Sequence, residues 1–228
     1  MGEYEAYQKQ VLECTHWLSE NGYFGTLRGT GGNVSMRIPG EAVFAITPST
    51  LPYDQLSPMD ICIVDFNLTQ LEGKYPPSVE AGMHLAVYKK RLDVNAVIHT
   101  HQRKASAFAL LNRPIPALFD EVVLSLGHVV EVIPYALSGS PDLAENVAGK
   151  LENGSNGYII QNHGALCTGA TLDKAWLNVE LLEKTAQTYL DALSTGGKAT
   201  VIPKDIEDLL VLIRRDEQTK EVAKNQPT

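Results

Sequence analysis

The sequence predicts a layered α/β/α domain with a central mixed, mainly antiparallel sheet, and two observations carry that prediction. Short apolar runs rich in β-branched residues are interspersed with segments of helical periodicity, the pattern of one sheet with helices packed on it. Two strand patterns joined across Pro39-Gly40-Glu41 make an early hairpin, which excludes a purely parallel sheet. With 228 residues, 44% hydrophobic and 20% charged, the composition is ordinary for a globular protein and fits one domain over 1–228.

Taken in order, Tyr7, Val11, Cys14 and Leu18 recur at helical spacing, and Asn21-Gly22 stops that helix. A glycine-rich loop, Gly25-Thr26-Leu27-Arg28-Gly29-Thr30-Gly31-Gly32-Asn33, then runs into a strand. It matches neither the dinucleotide fingerprint nor the P-loop, since no Gly-Lys-Ser/Thr closes it and no helix follows. It is either a flexible turn or a nest of N–H groups for an anion, with Asn33 as a side-chain donor. Asn33 to Ile38 and Ala42 to Thr47 are the hairpin strands, the second emptying into Pro48-Ser49-Thr50. Ile61 to Asp65 is a third strand, with turn material at Asp65-Phe66-Asn67 and Glu72-Gly73-Lys74 before Pro76-Pro77. Ser78 is the candidate N-cap of a helix on which Glu80 and His84 share a face. Asn95 to Ile98 reads as a buried strand, Lys104 to Leu111 as a helix, and His128 to Ile133 and Tyr158 to Ile160 as strands. Ser140-Pro141-Asp142 opens another helix, and Thr171 to Leu193 is a long one. Beyond Gly196-Gly197, the charged segment 198–228 reads as a solvated amphipathic helix or a frayed tail.

A net charge of −8 and a pI near 5.2 argue against nucleic acid or an anionic membrane as a partner and for a small molecule. No apolar run approaches the roughly 20 residues that span a bilayer, and the acidic start, Met1-Gly2-Glu3-Tyr4-Glu5, is unlike a signal peptide, so the expected compartment is the cytoplasm. Cys14, Cys62 and Cys167 are odd in number and sit in apolar patterns, as reduced core residues do.

The sharpest chemical signal is histidine. Alternation puts His99 and His101 on one face of the strand end with Cα atoms roughly 7 Å apart, close enough for both rings to reach one cation. His163 closes a second strand and is followed by Gly164, where the backbone can turn sharply or approach a ligand closely. Three imidazoles with one position left open is the pattern of a catalytic zinc site. Glu80 stands near its helix N-terminus, where the dipole favours a carboxylate, and the spacing leaves open whether His84 coordinates or packs.

Gly31-Gly32-Asn33-Val34-Ser35, Ile46-Thr47-Pro48-Ser49, Glu80-x-x-x-His84, His99-Thr100-His101 and Asn162-His163-Gly164, in that order, resemble the class II aldolase/adducin family over about residues 7–193. The resemblance implies a three-layer domain, usually a homotetramer, and one divalent metal per chain, zinc or an ion such as Mn2+ or Co2+. It implies that His99, His101 and His163 hold the metal and that Glu80 is the acid/base, itself a metal ligand in the empty site. It also implies that Gly32, Asn33, Ser49, Thr50 and Ser78 grip a substrate phosphate. Departures from the family pattern are Thr50 for a glycine, Val79 for a serine and Asp120 near a tyrosine position, with no aromatic residue after Tyr189.

The implied activity is cleavage of a ketose 1-phosphate of the fuculose type to dihydroxyacetone phosphate and an aldehyde. Cleavage leaves negative charge on an enediolate, which a Lewis-acid metal stabilises, while Glu80 moves protons with a pKa expected to be raised by partial burial. The same constellation would also serve a decarboxylase of an oxo-sugar-acid phosphate or a dehydratase of a methylthio-sugar phosphate. A non-catalytic interaction module of the adducin kind is the alternative of another class, but a module needs no open metal site.

Overall fold

The computed structural model describes residues 2–27, 29–49 and 51–225. In chain order the elements are α1 (Glu5–Glu20), β1 (Asn33–Arg37), β2 (Val43–Ile46), β3 (Cys62–Asp65), β4 (Gln70–Glu72), α2 (Ala81–Lys90), β5 (Ala96–Thr100), α3 (Arg103–Leu111), β6 (Ile115–Pro116), α4 (Asp120–Ser125), β7 (Val129–Ile133), α5 (Pro141–Lys150), β8 (Gly157–Ile160), β9 (Gly164–Gly169), α6 (Leu172–Ser194) and α7 (Lys204–Asn225). The strands form one sheet in the order β4-β3-β2-β1-β5-β9-β8-β7-β6. Neighbours are antiparallel throughout, except for the parallel pair β7 and β8.

The period of two along each strand builds the layers. Val43 and Ala45, Ile63, Ala96 and Ile98, Ile159, and Ala165 and Cys167 face a core shared with α1, α3, α4 and α6. Their alternates Phe44 and Ile46, Cys62 and Val64, Val97, Tyr158 and Ile160, and Leu166 face a second core shared with α2 and α5. Each face of the sheet is therefore covered by helices, the three-layer arrangement expected from sequence.

The cap predicted at Ser140 forms, whereas the one expected at Ser78 is displaced by two residues: α2 begins at Ala81 with Glu80 as its N-cap, and Ser78 Oγ accepts from the Glu80 N–H ahead of the helix. Ser140 accepts from the Leu143 N–H at the start of α5 with Pro141 at the first helical position, and Thr171 caps α6 through the Lys174 N–H. All three cysteines are buried and free. Among the described residues no helix is long and apolar enough to cross a membrane.

Four short elements, β4, β6, α4 and β9, lie outside the predicted set. β9 is buried along its whole length because helices cover both of its faces, so it shows no polar alternation to read. Residues 204–225 of the tail form α7, which packs on α4, and residues 226–228 lie outside the described range. The frayed alternative is thereby corrected. The buried Arg214 donates to the Gly154 carbonyl, and Gln218 donates to the same carbonyl and to Asp93, so α7 is anchored by polar contacts that an apolar periodicity does not display.

Candidate active site

β5 lies near the middle of the sheet, and its end carries the histidines. His99 pairs with Asn33 of β1 on one side and Leu166 of β9 on the other. His101 stands just beyond the strand, its N–H donated to the Tyr23 carbonyl at 2.9 Å. His163 arrives in the tight turn from β8 to β9, where Asn162 takes a left-handed φ of 52°. The sequence thus brings together three rings whose ligand nitrogens all lie within 4.8 Å of one another, with His99 Nε2 and His101 Nε2 3.0 Å apart.

Glycines make this approach possible. A Cβ at Gly164 would collide with the Thr100 carbonyl and lie 2.8 Å from His101 Cδ2 and 3.2 Å from His99 Cε1. A Cβ at Gly31 would fall 2.6 Å from His101 Nδ1, and one at Gly32, whose φ is +87°, would fall 2.5 Å from the His99 carbonyl. The glycine-rich loop is neither simply a flexible turn nor simply a nest: it is the packing wall of the histidine pair.

The rings suit a cation. His99 Nδ1 lies 2.9 Å from the Ala165 carbonyl, which can only accept, so Nδ1 carries a proton and Nε2 is the ring atom turned toward His101 and Glu80. Burial, then the neighbouring His99 and His163, pull His101 down to about 3; burial and His99 pull His163 down to about 4, with Glu80 opposing in both cases. Three ring nitrogens converging next to a carboxylate form a donor set that fits a divalent metal.

Glu80 is the N-cap residue of α2, with its own N–H donated to Ser78 Oγ at 3.2 Å. Its side chain is buried and held symmetrically. Oε2 accepts from Asn33 Nδ2 at 2.8 Å and lies 3.4 Å from His99 Nε2, while Oε1 accepts from Ser138 Oγ at 2.8 Å and lies 3.4 Å from His163 Nε2. Burial pushes this carboxyl up, but His99, the Asn33 hydrogen bond, His163 and Ser138 together outweigh it and hold the group down at about 2. The expected upward shift is therefore corrected. Glu80 rests as an anion, with both oxygens able to ligate.

Ser138 is a functional contact that sequence reasoning missed. It lies in the loop between β7 and α5, 58 residues from Glu80. The only local signal is the neighbouring Gly139, at φ +74°, where a Cβ would lie 3.0 Å from the Val79 carbonyl because the loop rests on the approach to α2. His84 packs instead of joining the histidine cluster: its ring is fully buried against Ser35 and Asn33.

The residues expected at the phosphate gather beside this centre. The Thr47 N–H is donated to the Val34 carbonyl, the Thr47 carbonyl accepts from the Ser78 N–H, and the Ser49 N–H is donated to the Pro76 carbonyl, so the Gly32-Asn33 turn, Ser49 and Ser78 belong to one corner. Thr50 lies outside the described residues. The Asn33 side chain is 4% exposed with both ends engaged, by Glu80 and His84. Asp120 is exposed at the start of α4.

A model of the class II aldolase and adducin N-terminal domain matches residues 9–190. An L-fuculose phosphate aldolase of Escherichia coli O6:H1 is 37% identical over 192 residues, covering 84% of this chain and 86% of that protein. A 5-methylthioribulose-1-phosphate/5-deoxyribulose-1-phosphate aldolase of Escherichia coli O45:K1 is 40% identical over 167 residues, covering 73% of this chain and 76% of that one. Among solved structures, an L-fuculose 1-phosphate aldolase superimposes with a TM-score of 0.85 at 31% identity, covering 92% of this chain and 96% of that chain.

Proposed function

The chain belongs to the class II aldolase and adducin family, and from that premise we propose that it is a metal-dependent lyase cleaving a ketose 1-phosphate of the fuculose type into dihydroxyacetone phosphate and an aldehyde. The observation that carries the reading is the joint placement of His99, His101 and His163 within 4.8 Å of one another and of the Glu80 carboxylate 3.4 Å from two of those rings. His99, His101 and His163 would hold one divalent ion, zinc in this reading, whose Lewis acidity stabilises the negative charge left on the ketose fragment. Glu80 would stand beside that ion as a further ligand and would take up or return the proton. Glu80 is ionised and therefore in the form that accepts a proton, and the donors Asn33 and Ser138 hold it beside the histidines.

For the phosphate, the reading uses the Gly32-Asn33 turn, Ser49, Thr50 and Ser78. The Asn33 amide is spent on Glu80, which leaves the anion to hydroxyls and loop N–H groups, and binding energy gathered there orients the reacting carbons. A cytoplasmic homotetramer belongs to the same proposal and rests on the family resemblance. The test is direct: purified protein loaded with zinc is offered ketose 1-phosphates and sugar-acid phosphates, and release of dihydroxyacetone phosphate is followed with a coupled dehydrogenase. Carbon dioxide release in place of dihydroxyacetone phosphate would replace the aldolase reading with a decarboxylase.

A further inference from the structure

Glu80, His84 and Tyr88 follow one another at intervals of four along one face of α2 and its cap, while Asn33 and Ser35 follow at an interval of two on the face of β1 turned toward it. The two repeats have nearly the same pitch: four helical residues advance about 6 Å, and two strand residues about 6.6 to 6.8 Å. The side chains interleave accordingly. Tyr88 Oη lies 2.6 Å from Ser35 Oγ, Ser35 Oγ 2.6 Å from His84 Nδ1, His84 Nε2 2.5 Å from Asn33 Oδ1, and Asn33 Nδ2 2.8 Å from Glu80 Oε2. Ser35, His84 and Tyr88 are fully buried.

Donor and acceptor chemistry gives this chain one direction. The Glu80 carboxylate only accepts, so Asn33 must turn its NH2 toward it and its carbonyl toward His84. That carbonyl also only accepts, so the His84 ring proton must sit on Nε2. Burial pulls His84 down to about 3, Glu80 opposing, so the ring is neutral and its bare Nδ1 accepts from the Ser35 hydroxyl. Ser35 has then spent its only proton, and its oxygen accepts from Tyr88. Four hydrogen bonds point the same way and end on the carboxylate.

We propose that His84 is a positioning residue that acts through Asn33: by fixing which end of the Asn33 amide faces Glu80, it keeps a donor on Oε2 and holds the carboxylate for proton transfer. Without it, Asn33 can turn over and present its carbonyl to Glu80, replacing attraction by repulsion. The inference rests on the reading of Glu80 as the group that moves the proton.

His84→Phe keeps the ring and removes both nitrogens. The expected result is a fall in kcat of roughly 10- to 100-fold, the range for residues that orient a metal-site group, with KM little changed and one zinc retained per chain by elemental analysis. The same substitution in a Glu80→Gln background should lower kcat no further, because the effect passes through that carboxylate. An unchanged kcat in His84→Phe, or an equal fall in both backgrounds, overturns the proposal. Nitrogen-15 NMR of the unsubstituted protein decides independently of folding in the variants and of turnover. It should find His84 as the neutral tautomer protonated on Nε2, and a ring protonated on Nδ1 alone overturns the chain even if Glu80→Gln abolishes activity. If Glu80→Gln stays active while the Nε2 tautomer is observed, the proton role of Glu80 fails and the positioning claim fails with it, the hydrogen-bond chain remaining as architecture only.

Discussion

Replacing Glu80 by glutamine separates a structural carboxylate from a chemical one. The amide keeps the shape, and the surrounding donors dictate its orientation. Asn33 cannot turn to accept, because its carbonyl already faces His84 Nε2 at 2.5 Å, so the new amide oxygen must take the Asn33 hydrogen bond and its NH2 must face Ser138, whose hydroxyl can rotate to accept. Two hydrogen bonds survive as neutral ones. Bonds to charged groups are worth about 1.5 to 3 kcal/mol against about 0.5 to 1.5 for neutral pairs, so the stability lost is about 1 to 2 kcal/mol for each of them, offset by the relief of a buried charge. If Glu80 only favoured the helix terminus the loss would be about 0.3 to 1 kcal/mol with turnover intact. As the acid/base, its replacement lowers kcat roughly 10² to 10⁴-fold, or about 2.7 to 5.4 kcal/mol of barrier at about 1.36 kcal/mol per tenfold. Thermal unfolding, zinc content and the coupled assay for dihydroxyacetone phosphate are measured on one preparation. A folded Glu80→Gln protein with full zinc and near-normal turnover would refute the assignment.

His101→Ala should lose most of its zinc while remaining folded, because an open metal site is not what holds this core together; elemental analysis showing full occupancy would remove His101 from the ligand set. Gly164→Ala adds a Cβ that meets the Thr100 carbonyl and both strand histidines, and should cost about 1 to 3 kcal/mol of stability and weaken zinc binding in a chelator competition by roughly tenfold or more. Asn33→Ala should lower kcat roughly 10- to 100-fold with a smaller change in KM, since its amide serves Glu80; a raised KM with unchanged kcat would instead assign that amide to the phosphate. Light scattering should find an assembly of about four chains, and a stable monomer at assay concentration would count against the tetramer.

Much of this architecture could be read from the chain because its signals are local. The short apolar, β-branched runs at Val43–Ile46 and Asn95–Ile98, the cap at Ser140-Pro141 and the proline boundary before Ser78 each act over a few residues, and each lies in or beside an element of the fold. The pairing of His99 with His101 is equally local. What could not be read had no local mark. β9 begins and ends in glycine and is buried on both faces, so its Gly-Ala-Leu-Cys-Thr-Gly run shows neither alternation nor a continuous β-branched stretch. β4 is an exposed three-residue edge strand, and α7 is held by Arg214 and Gln218 more than by an apolar stripe.

The support of Glu80 illustrates the harder case, since its two donors come from residues 47 and 58 positions away. Nothing in the sequence near Glu80 announces Asn33 or Ser138, and a carboxylate at a helix start has a sufficient explanation in the dipole. The direction of its pKa was unreadable for the same reason: burial alone raises a carboxyl, and only the partners fixed by the tertiary fold reverse the sign. Yet the matching periods, Asn33-x-Ser35 on a strand and Glu80-x-x-x-His84-x-x-x-Tyr88 on a helix, are present in the sequence. Polar residues repeating every two on the buried face of a strand and every four on the buried face of a helix need partners for every donor and acceptor, and each supplies what the other lacks. A polar stripe on the buried face of a helix, set against one on the buried face of a strand, can therefore be read as a request for pairing before the fold is known.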